Sequence, residues 1–228
     1  PDGVSWISNT QFVTADEGDL DGGSRGFTVF NTDGTVAHAP GNSVEHTIVR
    51  HGHYPDKRSG KKGNEPENAE FGQYGDDKLL FVGSERASVV LVYKVQNTKR
   101  NHFRNHFGNH FGNHFSNHFS NHFSNLVNNK GFQYRRFNKH AEDRFNGKED
   151  RWSMLRLKQV LPTAVKPEGL LAIPQRNLFI AAGEEDSRDD KIRSGLSIYQ
   201  LGGEASYPAI ISKDRADGTP IPWGALSG

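Results

Sequence analysis

Apolar and polar positions alternate in short stretches along most of this chain, and Gly, Asp, Asn or Pro interrupts them. A period of two marks strands that bury one face. Strands are predicted over Gln11–Ala15, Gly26–Asn31, Ala69–Tyr74, Leu79–Ser84, Ser88–Val95, Gly169–Ile173, Asn177–Ala182 and Gly195–Leu201. Turn chemistry separates them, as at Asn31-Thr32-Asp33-Gly34, Tyr74-Gly75-Asp76-Asp77-Lys78 and Pro174-Gln175-Arg176-Asn177. No amphipathic helix is evident in these regions, and one short helix is expected over Trp152–Val160.

Three segments repeat. Phe12-Val13-Thr14-Ala15-Asp16-Glu17 matches Leu80-Phe81-Val82-Gly83-Ser84-Glu85 and Phe179-Ile180-Ala181-Ala182-Gly183-Glu184. Each is followed by a loop and an alternating strand that ends in an aromatic residue. The second and third copies also share an upstream element, Glu65-Pro66-Glu67-Asn68-Ala69 and Lys166-Pro167-Glu168-Gly169-Leu170. With residues 98–156 set aside, these copies lie roughly 40 residues apart, the spacing of propeller blades. A small antiparallel sheet cannot bury both faces alone, and stacking such sheets does so. The expected fold is all-β, a partial β-propeller of antiparallel blades interrupted by a disordered low-complexity insert. A β-sandwich is the competing architecture, and the equivalent Glu positions favour blades. Three blades do not close a ring, since propellers use about 4–8. The chain therefore reads as part of a propeller, with blades over 1–97 and 157–228.

Composition changes this picture in one place. The formal net charge of the 228 residues is only +1, which argues against a nucleic-acid partner for the chain as a whole. Residues 98–156, however, carry 11 Lys/Arg against 4 Asp/Glu and seven of the eleven His. They contain six Asn-His-Phe units in a period of four, a low-complexity tract. Asn and Gly are poor helix formers, so a solvated, disordered insert is expected there rather than a helical His chelate. There is no cysteine, which excludes a disulfide scaffold, a thiolate metal site and a Cys nucleophile. No apolar run is long enough for a transmembrane helix. No Gly-x-Ser-x-Gly elbow and no P-loop occurs, which counts against serine esterases and nucleotide hydrolases.

Gly63-Asn64-Glu65-Pro66-Glu67-Asn68-Ala69-Glu70, with Leu80–Ser88, Thr14–Asp19 and Val165–Leu170, resembles the secreted choice-of-anchor I family. That resemblance covers roughly 1–97 and 157–228. It implies a secreted or surface-attached protein of the alkaline-phosphatase-like kind, similar to esterase-like phytase propellers and monomeric when complete.

The candidate chemistry is acidic. Glu17, Glu85 and Glu184 are repeat-equivalent, as are Glu67 and Glu168, and equivalent positions fall on one ring in a propeller. Together with Asp19 in the Asp16–Gly23 loop, these six are the expected metal ligands. Converging carboxylates repel one another unless a hard cation such as Ca²⁺ neutralises them. Such a cation could polarise a phosphate for attack by water, making a metal-dependent phosphoester hydrolase acting on a phosphorylated small molecule. His51, His53 and Arg58, clustered in one loop, are its expected catalytic residues: the Arg side chain holds phosphate oxygens and a His moves a proton. The same carboxylates equally suit ion pairs with Arg25, Arg86, Lys166 or Arg188. The alternative function is a non-catalytic propeller that binds an extracellular ligand.

Overall fold

The computed structural model describes residues 1–18, 24–96, 154–202 and 210–224. Pro1–Lys94 and Lys158–Gly228 form one compact unit and Val95–Leu157 a second. Of the second, only Val95, Gln96 and Met154–Leu157 are described, so nearly all of the expected insert lies outside the described residues.

The described residues fold into three antiparallel sheets. The first runs in the order β1 (Val4–Ser8), β2 (Gln11–Asp16), β3 (Gly26–Asn31), β4 (Val36–His38). The second is β5 (Pro66–Tyr74), β6 (Asp77–Ser84), β7 (Val89–Val95), β8 (Leu155–Pro162). The third is β9 (Pro167–Ile173), β10 (Leu178–Gly183), β11 (Gly195–Gln200). The all-β expectation holds. The strand bounds differ by a residue or more at several ends, and β1 and β4 are additions.

Two local expectations are corrected. Ser43–Arg50 forms a helix, α1, where none was evident. It is short and rich in β-branched residues, which weakens its propensity, and Val44, Thr47 and Ile48 bury one stripe beside β3. The helix expected over Trp152–Val160 is instead β8 from Leu155 onward. Leu155, Leu157 and Leu161 are buried on alternate positions, and sheet pairing outweighs local helix propensity there.

The sheets stack in a row. The first strands are neighbours, β1 beside β5 and β5 beside β9. Consecutive residues of β6 point to opposite faces, and both faces are covered. Phe81 packs on one side with Val90, Val92, Phe179 and Ala181, its ring stacked on Phe179 at a centroid distance of 3.9 Å. On the other side Tyr93 meets Phe27 of the first sheet edge-on at 5.0 Å. Close approach of β5 to β9 requires Gly72, where a Cβ would stand 2.9 Å from the Ala172 Cβ. Tyr74 Oη donates to the Leu178 carbonyl at 2.8 Å and locks the same interface.

Candidate functional site

Strand register converts the sequence repeat into spatial equivalence. Val4 pairs with Thr14, Ala69 with Val82 and Leu170 with Ala181. These pairs occupy the same place in their sheets. Two residues before Val4, Ala69 and Leu170 stand Asp2, Glu67 and Glu168. Three residues after Thr14, Val82 and Ala181 stand Glu17, Glu85 and Glu184. Asp2 is thus the first-sheet member of a set that sequence reading confined to Glu67 and Glu168. Its signal was present: Pro1-Asp2-Gly3 parallels Pro66-Glu67-Asn68 and Pro167-Glu168-Gly169.

Backbone contacts tie these corners together. The Gly3 N–H donates to the Glu67 carbonyl at 2.9 Å, and the Asn68 side-chain amide donates to the Glu168 carbonyl at 2.9 Å. Within sheets, Glu85 N–H donates to Glu65 O at 2.8 Å and Glu184 N–H to Lys166 O at 3.0 Å. Glu65 and Lys166 are therefore equivalent as well. Both precede a proline and both take left-handed backbone, with φ of 47° and 56°. Such a conformation is unfavourable for a side-chain-bearing residue and persists where its surroundings hold it.

The second-sheet corner is dense in carboxylates. Glu65 and Glu85 are buried, and Glu17 and Glu67 are half-buried. Oxygens of Glu17, Glu65 and Glu67 all lie within 4.8 Å of one another. Glu67 hydrogen-bonds Asp2 and Glu85, and Glu85 hydrogen-bonds Glu65, so four carboxyl groups form a chain. Cations reach part of it. Arg58 and Arg86 both bond Glu65, the latter at 2.8 Å. Arg86 also pairs with Glu85 at 2.9 Å, and Lys62 with Glu17 at 2.6 Å. Among the described residues no ion pair reaches Glu67.

The protonation pattern follows. Burial pushes the Glu65 carboxyl up, but hydrogen bonds from Arg58 and Arg86 outweigh it and hold the group below its ordinary value. Glu85 is held above, first by burial and then by the hydrogen bond to Glu65, against the pull of Arg86. Burial, the hydrogen bonds to Asp2 and Glu85, and the charges of Glu17 and Glu85 raise Glu67 to about 9. The cluster relieves its repulsion with a proton on Glu67, the same relief a bound cation would provide.

The third-sheet corner is open and balanced. Glu168 and Glu184 are exposed. Lys166 approaches Glu184 at 3.8 Å and bonds Glu185. Burial, then the charge and hydrogen bond of Glu184 and the charge of Asp2, raise Glu168. Asp2 therefore faces both Glu67 and Glu168.

The other expected site residues divide. Arg58 joins the carboxylates through Glu65. His51 and His53 follow the C-terminal end of α1. His51 caps the helix, with Nδ1 2.7 Å from the Thr47 carbonyl, and burial lowers its pKa. A clasp holds that end: Arg50 grips Asp214 at 2.7 and 3.0 Å, and Trp223 Nε1 donates to the Arg50 carbonyl at 2.7 Å. Asp19 lies outside the described residues. Its neighbour Asp16 accepts hydroxyl bonds from Thr14, Ser24 and Thr28, at 2.8, 3.1 and 2.6 Å, and pins the loop to the sheet.

Residues 9–98 match the choice-of-anchor I domain. That match spans β2 to β4 of the first sheet, α1 and β5 to β7 of the second, and includes Glu17, Glu65, Glu67 and Glu85. No curated protein and no solved structure gives a significant match. No helix among the described residues is long and apolar enough to cross a membrane.

Proposed function

We propose that this chain is a secreted or surface-attached propeller-type domain that holds one Ca²⁺ at the second-sheet corner and offers its loops to an extracellular ligand. One observation carries the reading: oxygens of Glu17, Glu65 and Glu67 lie within 4.8 Å of one another. Ligands of one Ca²⁺ sit about 2.3–2.6 Å from it, hence at most about 5 Å from each other. Glu85 and Asp2 adjoin the same position through Glu67. Of the expected ligands, Glu17, Glu67 and Glu85 belong to this centre, and Glu168 and Glu184 form a separate pair. In this reading the cation fixes the junction of the first two sheets.

Metal-dependent phosphoester hydrolysis is the second reading, favoured by a specific placement. Arg58 and Arg86 stand on Glu65, where guanidinium groups would also grip a phosphate. Its proton-transfer residues are the weak part, because His51 is tied to its own helix.

Thermal melting of the full chain with and without Ca²⁺, alongside p-nitrophenyl phosphate turnover, tests both. A rise of several degrees that Glu67→Gln removes, with no turnover, is the expected result. An unchanged melt overturns the cation site. Turnover lost in Glu67→Gln would put hydrolysis first.

A further inference from the structure

The same sheet-to-sheet junction occurs twice, and only one of the two is closed. Between the second and third sheets, Gly72 lets β5 approach Ala172 of β9, and Tyr74 spans the gap to the Leu178 carbonyl at 2.8 Å. Between the first and second sheets a cleft of about 910 Å³ opens at the corresponding place, bordered by Trp6–Thr10, Phe71, Gln73 and Lys78. Small-molecule sites run to about 300–1,000 Å³, so this cleft has the size of one.

Register explains the difference. The pair Trp6–Phe12 of the first sheet corresponds to Phe71–Leu80 of the second. Beyond it the second hairpin adds three rungs, Gly72–Leu79, Gln73–Lys78 and Tyr74–Asp77. The first hairpin adds one, Ser8–Gln11, and Ile7 is bulged out of the ladder. It turns back at Asn9 and Thr10, before any residue can stand where Tyr74 stands. Ile7 and Ser8 together take the place of the single Gly72, so the close approach that glycine permits is not available. The longer strands of the second sheet therefore overhang the first. Alternate residues along a strand and paired residues across strands share a face. Phe71, Gln73 and Lys78 thus lie on the face of the second sheet that meets the first.

The lining selects a ligand. Ile7 and Phe71 supply apolar surface. Ser8, Asn9, Thr10 and Gln73 are hydroxyls and amides, which both donate and accept, as sugar hydroxyls do. Gln73 Nε2 donates to the Gly75 carbonyl at 3.2 Å, and the Ser8 and Thr10 hydroxyls share a contact at 3.4 Å, so hydrogen-bonding capacity remains on each. Lys78 is half-buried and makes no ion pair among the described residues. Its neighbour Asp77 is taken at 2.6 Å by Lys94, on the opposite face of the sheet. One cation matches one carboxylate, whereas a phosphomonoester carries close to two charges and would leave one unmatched. We propose that this cleft binds an acidic sugar of the uronic kind, with Lys78 on its carboxylate and the four neutral side chains on its hydroxyls. This names a ligand for the extracellular-ligand part of the reading above and rests on that part alone. The Ca²⁺ corner lies at the other end of β5 and β6, at Glu65, Glu67 and Glu85.

Calorimetric titration of the full chain with trigalacturonic acid, maltotriose, a triglutamate peptide and inorganic phosphate tests this. Trigalacturonic acid should bind, and each of the others should bind at least about 10-fold more weakly. Lys78→Met should weaken trigalacturonic acid by about 10-fold or more, as loss of a hydrogen bond to a charged group does. Lys94→Met, on the opposite face, should change nothing. In the wild-type chain, the side-chain amide NMR signals of Asn9 and Gln73 should move during the same titration, which reads the site without a substitution. Ca²⁺-dependent melting of Lys78→Met should match wild type, so the sugar site and the cation site are read separately. No binding of trigalacturonic acid, equal binding of maltotriose, triglutamate or phosphate, indifference to Lys78→Met, or unmoved amide signals would each overturn the proposal.

Discussion

The second and third sheets carry the same corner with opposite solutions to its charge. Glu65 and Lys166 are equivalent residues with the same left-handed backbone before a proline, and each carbonyl accepts the N–H of the corner Glu. In the third sheet the residue at that position is a cation, so Glu184 and Glu185 find a partner at the neighbouring strand end. In the second sheet it is a fourth acid. Two arginines from elsewhere, Arg58 and Arg86, then converge on it, and Glu67 is left holding its proton to about pH 9. Repeats fix where charged groups stand. A single sign change at one position decides whether the corner is a self-satisfied surface ion pair or an acidic pocket in need of a proton or a cation.

The largest effect that would break this contrast comes from Glu65. Its carboxylate is buried and takes both arginines, so Glu65→Leu removes the carboxylate that Arg58 bonds, leaves Arg86 only Glu85, and costs about 3 kcal/mol. Lys166→Leu, at the half-buried equivalent, costs about 0–1 kcal/mol. Urea unfolding of both variants measures the gap, and equal losses would dissolve the distinction.

Next in size is pH. The Glu67 carboxyl has an ordinary value of 4.5, and the folded chain keeps its proton to about 9. A group bound more tightly in the folded state stabilises fully below the unfolded value, and that stability is lost as pH rises through the folded one. Wild-type stability therefore declines between about pH 4.5 and 9, and Glu67→Gln flattens the decline. Glu168→Gln, at the exposed equivalent, changes the profile less. Melting temperatures across pH 5–9 compare the two, and a larger change in Glu168→Gln would invert the assignment.

A cation and the Glu67 proton relieve the same repulsion, so they compete. Stabilisation by saturating Ca²⁺ should therefore be larger at pH 8 than at pH 5. A Ca²⁺ shift independent of pH would separate the ion from Glu67.

The smallest change sharpens the role of Lys166. Lys166→Met removes the pair with Glu184 and Glu185 and should move the melting temperature by no more than a degree or two. A larger loss would mean that the third corner also depends on its charges.

Most strands were legible, because alternation is local. Every residue of Leu79–Ser84 can be assigned a face from its own sequence. The repeat was legible too: it made Glu17, Glu85 and Glu184 equivalent, and Glu67 equivalent to Glu168, without saying which of them meet. Asp2 was missed because the Pro-acid-small pattern was matched over two copies rather than three. Glu65 was read only as part of a motif. Its importance lies in Arg58 and Arg86 closing on it from positions 7 and 21 residues away. His51 and His53 showed the opposite failure. They stand close to Arg58 in the chain, but α1 turns His51 back onto Thr47.

The sequence by itself determined most of the strands, the spacing of the repeat and the equivalence of Glu17, Glu85 and Glu184. Those depend on side-chain period and turn residues, which act within a few residues of themselves. Only the tertiary structure decided which acids meet, which of them gain an arginine, and that Leu155–Pro162 pairs as a strand. Those outcomes depend on the neighbouring sheet, whose side chains set burial and charge across a gap that local patterning does not reach.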